Sequence, residues 1–239
     1  MSGKGHPILA VLILLAVVGL FLGLVLTFVL PMAGPSGAFS FKEKIGVLPI
    51  EGTITQSDPL VAQLVEFRKD RRIKAIILRV NSPGGSVGPS QEIYREIRKT
   101  IETKKVIASL GSLAASGGYY VACGADRIHA APGAAVGSIG VIALFLNLEK
   151  LAGKIGVETQ VIKSADKKDM GGLWRALTDE ERKVMQSMID EYYGRFLDIV
   201  LAARPGLTRE RLLPLADGRI VTAGRAAEGG LIDRVAYLD

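Results

Sequence analysis

The chain has 239 residues, a net charge of +6 and 49% hydrophobic residues, enough for one domain of ordinary size plus an appendage. A single cysteine, Cys123, excludes an intrachain disulfide, and two histidines, His6 and His129, leave little with which to build a Ser-His-Asp enzyme. There is no ligand cluster with metal spacing, no zinc-finger spacing and no RNP motif, so no metal, no cofactor and no nucleic-acid partner is expected.

Residues 1–7 read as a short tail. Residues 8–32 carry no charged side chain. A helix from Ile8 to Leu30 would run about 34 Å, enough for a bilayer core of roughly 30 Å. A cleavable signal peptide has an apolar run of only about 7–15 residues, so the segment reads as an uncleaved transmembrane signal anchor. The alternative is a cleaved signal with its cut near Met32–Ala38. Lys4 is the charge nearest the segment, which places the N-terminus in the cytoplasm and the rest of the chain on the extracytoplasmic side. Residues 33–43, rich in Gly, Pro, Ser and Ala, are a linker, and residues 44–239 form the folded domain. Its basic charge would draw it toward anionic headgroups, although a solvated basic surface is the plainer account.

Within the domain, strands and helices alternate. Lys44–Ile50 reads as a strand and Asp58–Lys69 as a helix. Ile73–Val80 is a buried strand, and Val87–Thr103 an amphipathic helix. Val106–Leu110 is another strand, followed by a small-residue helix over Ser116–Ala125. His129 falls on a short strand as a structural histidine, and Cys123 reads as an inert core residue. Thr178 and Glu181 have capping-box spacing and open a helix that runs to about Ala203, where Pro205-Gly206 ends it. Its stripe of Val184, Met188, Tyr192, Phe196 and Val200 serves the core or a subunit interface. Residues 218–239 close the domain with a short helix and an apolar strand. The alternation predicts an α/β fold with a parallel sheet, with ligands at the strand ends.

Chemistry concentrates in two glycine-rich segments. Ser116, in Gly111-Ser-Leu-Ala-Ala-Ser-Gly-Gly-Tyr-Tyr120, lies among small residues that leave room for a substrate backbone. Gly117 beside it offers a bare N–H, as an acyl-transfer nucleophile requires. Asn81-Ser-Pro-Gly-Gly85 supplies a second glycine pair. On its own this pair reads as a strand-to-helix turn, and it lacks the ending of a phosphate loop. With histidine scarce, Lys168 is the candidate base, with Lys167 and Lys163 competing. A free lysine has a pKa of about 10.4, so the base must be desolvated without a carboxylate partner. Asp169 is therefore expected to point away from Lys168.

These segments, with Gly137-Ser-Ile-Gly-Val141 and Ser164-Ala-Asp-Lys-Lys-Asp169, make residues 44–239 resemble the bacterial signal peptide peptidases of the short form, the protease IV group. The resemblance implies a Clp protease/crotonase-like repeated ββα architecture with a C-terminal helical part. It implies Ser116 as nucleophile, Lys168 as base, and Ser138 as the serine that orients the lysine. The N–H of Gly85, or of Gly84, and that of Gly117 would form the oxyanion hole. Ala165 and Ala223 stand where the group has glycine, and the first bears on the geometry of the lysine loop. The resemblance also implies an oligomer in which serine and lysine meet across a subunit interface. The function expected is a membrane-anchored serine endopeptidase of a bacterial cell membrane, acting on remnant signal peptides and other apolar peptides. The alternatives are a stomatin-partner-type membrane serine protease, a crotonase-like acyl-thioester binder and a catalytically silent scaffold.

Overall fold

The computed structural model describes residues 7–32 and 43–238; within the first helix, side chains are described at Ile8 and from Val11 to Thr27. The expected tail with Lys4 and His6, and the linker over residues 33–42, lie outside the described residues. The chain divides before Glu43 into two units.

The first unit holds one helix, α1 (Pro7–Met32). Its described apolar side chains are exposed, Leu20 at 73% and Phe21 at 69%. Among the described residues no helix is long and apolar enough to cross a membrane. The segment expected as a transmembrane anchor is thus helical, without being established as a span.

The second unit runs β1 (Lys44–Ile54), α2 (Asp58–Lys69), β2 (Ile73–Gly85), α3 (Val87–Thr100), β3 (Lys105–Ala115), α4 (Gly117–Ala122), β4 (Arg127–Ala130) and β5 (Ala135–Gly137). It continues with α5 (Glu149–Lys154), α6 (Asp179–Ala203), α7 (Arg209–Leu212) with a 3-10 turn over Leu213–Leu215, β6 (Ile220–Thr222), α8 (Ala223–Glu228) and β7 (Arg234–Val235). Strands β1-β2-β3-β4-β7 lie in that order, all parallel. Beyond the end of β4, β5 pairs parallel with β3, and β6 pairs antiparallel with β5. The parallel sheet follows from the alternation in the sequence. The antiparallel corner has only three-residue strands, too short for a hydrophobic period to mark.

One face of the sheet buries Leu48, Ile50, Ile76, Leu78, Val80 and Leu110 in a core shared with Ile93 and Ile97 of α3 and with Val121 of α4. Asn81–Gly85 is a correction to the expected turn: β2 continues through it, with its register shifted after Val80. Gly85 is required because a Cβ there would lie 2.1 Å from the Ile54 carbonyl oxygen of β1. The small residues of α4 have a similar cause, since a Cβ at Gly118 would lie 2.8 Å from the Ser82 oxygen. Cys123 is buried and burial pushes its thiol up to about 12, the inert core residue expected. His129 is half-buried on β4, paired in register with Ser109 and Arg234.

The C-terminal segment is fastened to the rest by polar contacts, of which the first is buried. The Tyr119 hydroxyl of α4 donates to the Leu231 carbonyl at 2.6 Å. Asp233 accepts from the Ile128 N–H at 2.8 Å, from Arg204 at 2.7 Å and from Arg127 at 2.9 Å. Burial alone would raise the Asp233 pKa, but the hydrogen bonds from Arg204, Ile128 and Arg127 outweigh it and hold it at about 2. The folded value lies below the unfolded one of about 3.9, so between them the unfolded chain binds more protons and stability is lost as pH falls. Thermal melts of the wild type should lose about 1–2 kcal/mol more between pH 4 and pH 2 than melts of Asp233→Asn, after discounting for screening.

Candidate active site

Two non-glycine residues have positive φ among the described residues: Ser116 at 50° and Ser138 at 49°. Such backbone is costly for a side chain and concentrates at functional sites. Their position follows from the register. Ala115 of β3 faces Gly137 of β5, so the two serines leave adjacent parallel strands at the same level. The Ser116 N–H donates to the Gly137 carbonyl at 2.8 Å, and the Ser138 N–H donates to the Arg219 carbonyl at 2.8 Å. Ser116 also caps α4, its carbonyl accepting from the Tyr120 N–H at 2.9 Å.

The glycines pack against this serine. Gly84 has φ +93°, and a Cβ on it would lie 2.5 Å from the Gly117 nitrogen and 2.9 Å from the Ser116 Cβ. A Cβ on Gly117 would lie 3.2 Å from the Gly85 nitrogen and 2.5 Å from the Ser90 Oγ. The Gly85 and Gly117 nitrogens therefore converge beside Ser116. Gly117 is the first residue of α4, so its N–H lies outside the helical hydrogen-bond ladder and can serve a ligand. That is the arrangement an oxyanion needs.

Ser116, Ser138, Gly85 and Gly117 open into a cavity of about 690 Å³. Gly84 is not among its lining residues; its role is to let the Gly85 and Gly117 backbones approach. Tyr120, Ile139, Tyr192 and Phe196 form the apolar wall. Tyr120 is packed edge-on between Tyr94 at 5.5 Å and Phe196 at 5.0 Å. The sequence places Tyr192 and Phe196 on a core or interface stripe. In the structure that stripe divides: Phe196 and Val200 are buried, whereas Val184 and Met188 are exposed. Tyr120, Ile139 and Ser90 escape a reading of the sequence, since no spacing distinguishes a cavity wall from ordinary core.

Lys168 lies elsewhere. It is exposed, in a turn where its N–H donates to the Ala165 carbonyl at 3.1 Å, and it is not among the cavity-lining residues. Its competitors are engaged: Lys167 with Glu180 at 2.6 Å, and Lys163 with Asp169 at 2.9 Å. The hydrogen bond that the Lys167 ammonium donates to Glu180 raises its pKa and keeps it protonated, so it is ill suited to act as a base. The Asp169 carboxylate turns to Arg175 and Lys163, which hold it well below the usual carboxylate range, and Lys168 makes no ion pair among the described residues. Asp169 thus points away, as expected. Ala165 and Ala223 are not among the positive-φ residues, so alanine fits at both. One copy of the chain brings together both serines and both N–H donors, and does not bring Lys168 to them.

Among solved structures, the domain resembles a ClpP1 point mutant from Listeria monocytogenes, with a TM-score of 0.55, covering 80% of this chain and 91% of that one at 16% identity. The fold is thus of the Clp protease class, and a Clp protease family model matches residues 39–136. The chain is 41% identical over 197 residues to "Putative protease slr0021" of Synechocystis, covering 82% of this chain and 71% of that one. It is 37% identical to "Putative signal peptide peptidase SppA" of Enterococcus faecium, over 74% of this chain and 52% of that one. It is 36% identical to "Protease 4" of Salmonella typhi, over 76% of this chain and 29% of that one. The chain thus spans about half the length of the second relative and less of the third. The model "Peptidase family S49" matches residues 98–239, and the chain belongs to that family of serine proteases.

Proposed function

We propose that this chain is a membrane-anchored serine endopeptidase in which Ser116 and Lys168 act as a dyad. The observation that carries the reading is Ser116 held at φ 50° beside two converging glycine N–H groups, at the mouth of an apolar cavity. The hydroxyl attacks a peptide carbonyl, Lys168 takes its proton and passes it to the leaving amine, and the Gly85 and Gly117 N–H groups receive the oxyanion. Water activated by the same lysine then hydrolyses the acyl-enzyme. Ser138 orients the lysine.

Because Lys168 is exposed and outside the cavity, it reaches Ser116 of a neighbouring copy. A set of exposed apolar side chains supports such assembly, including Ile142 at 91%, Leu144 at 84% and Ile162 at 102%, since soluble surfaces rarely carry so much. Desolvation of an amine between copies favours its neutral form, the form a base needs. The uncharged α1, with its exposed apolar side chains, anchors the chain in a bacterial cell membrane and leaves the domain on the extracytoplasmic side. Remnant signal peptides and other exposed apolar peptides are the substrates, matched to the aromatic cavity wall.

Cleavage of a fluorogenic apolar peptide tests this. Ser116→Ala and Lys168→Ala should lose about 10³-fold or more in kcat/KM, while Lys167→Ala keeps most of it. Unchanged cleavage by Ser116→Ala would sink the mechanism.

A further inference from the structure

We propose that Arg175 is the positioning residue for Lys168, clamping the lysine's turn onto the start of α6. This rests on Lys168 being the base. The guanidinium works from two edges. Its Nε and Nη2 donate to Asp169 Oδ2 and Oδ1 at 2.9 and 2.7 Å. Its Nη1 and Nη2 donate to Glu181 Oε2 and Oε1 at 2.7 and 2.6 Å. One planar side chain therefore joins the residue that follows Lys168 to the first turn of α6. Paired carboxylates bridged in this way suit the rigid fork of arginine and not the single point of a lysine.

Both ends of the clamp are fixed. The Glu181 side chain is only 4% exposed, and its Oε2 also accepts from the Thr178 N–H at 2.9 Å in the capping box of α6. On the other side, the lysine turn is closed by Lys163, whose ammonium donates to the Asp166 carbonyl at 2.8 Å and to Asp169 at 2.9 Å. The turn also lies against Phe145, whose ring would be 2.6 Å from a Cβ on Gly171. Helix α6 in turn supplies Tyr192 and Phe196 to the cavity wall. The clamp thus fixes Lys168 relative to α6 of its own chain, the rigid element from which it would reach the neighbouring copy's serine. It also keeps the neighbouring carboxylate occupied, so that Asp169 does not hold a proton on the base.

The charged groups around the turn are Lys163, Asp166, Lys167 and Asp169 within it, Arg175 after it, and Glu180 and Glu181 from α6. Steady-state cleavage by the full, assembled chain across pH tests the clamp with Arg175→Leu, Arg175→Lys and Lys168→Ala. Arg175→Leu should lower kcat roughly 10–100-fold, the cost of a small misplacement. KM should stay within about twofold, because Arg175 does not line the cavity. The ascending limb of kcat/KM should move to higher pH, because Asp169, released from its main partner, stabilises the protonated lysine. Arg175→Lys leaves a cation on Asp169, so it should restore the pH profile but only part of kcat. If Arg175→Leu does not assemble, Arg175→Lys decides alone through its fall in kcat at constant KM. A wild-type kcat and pH profile in an assembled variant overturns the proposal even if its melting temperature drops. Cleavage retained by Lys168→Ala would instead sink the base assignment, an outcome that no Arg175 variant can imitate.

Discussion

Mixing Ser116→Ala chains with Lys168→Ala chains is expected to restore cleavage that neither shows alone. If serine and lysine meet between neighbouring copies, a competent site needs an intact serine on one chain and an intact lysine on the next. In a randomly mixed head-to-tail ring about a quarter of the junctions satisfy both conditions. Each variant alone should retain about 10⁻³ of wild-type activity or less, the residue left when binding and the oxyanion donors act without the nucleophile or its base. The physical basis is the exposure of Lys168 and its absence from the cavity that holds Ser116 and Ser138. Co-refolded mixtures at a series of ratios should trace a curve with its maximum at equal proportions. A flat line at zero, with the mixed assembly confirmed by sedimentation, would place both groups within one chain.

The second large effect is at Gly117. Its φ is not positive, so alanine suits the backbone, but the added methyl would lie 2.5 Å from Ser90 Oγ and 3.2 Å from the Gly85 nitrogen. Gly117→Ala is expected to lower kcat by about 10²–10³-fold, the scale of losing one oxyanion donor, because the methyl covers the Gly85 N–H. The clash with Ser90 should cost stability as well, about 1–3 kcal/mol by overpacking. The two effects separate in the double variant. Ser90→Ala removes the Oγ, so Ser90→Ala/Gly117→Ala should recover the melting temperature while kcat stays low. Recovery of kcat along with stability would mean that the methyl acted through packing and that Gly85 donates nothing to the reaction.

Much of this arrangement is legible in the sequence because it rests on backbone demands. A serine between alanines and glycines singles out Ser116 as the candidate nucleophile, whereas the Gly85 donor is suggested by the family resemblance and not by the glycine pair itself. Helix α2 is readable at its observed bounds, the short strand that carries His129 is foreseen, and α6 is marked by its capping box. Helical and strand periods do not reveal what a three-residue strand pairs with. The β5–β6 corner is therefore invisible in the sequence, although it sets the backbone of Ser138. Residues 81–85 read as a turn because glycine and proline punctuate most chains. Here they extend a strand because the Ile54 oxygen leaves space for no side chain at Gly85. The cavity wall is hidden for a different reason: Tyr120 and Ile139 are apolar residues whose cavity role depends on what α6 leaves uncovered. Chemistry foreshadows that the Asp169 carboxylate is occupied, but it does not name Arg175 as the occupant.

The Gly137–Ser138 peptide group stands at the centre of the site. Its oxygen receives the Ser116 N–H, and its nitrogen donates to the Arg219 oxygen. A single amide plane therefore conveys the position of residues 218–222 to Ser116. Hydrogen bonds in such a row polarise one another, so the two strengthen or fail together. During synthesis Ser116 emerges about a hundred residues before Arg219. Until that late strand docks, the Ser138 N–H lacks the Arg219 oxygen that holds it, so the backbone beside Ser116 is completed only after residues 218–222 have been made.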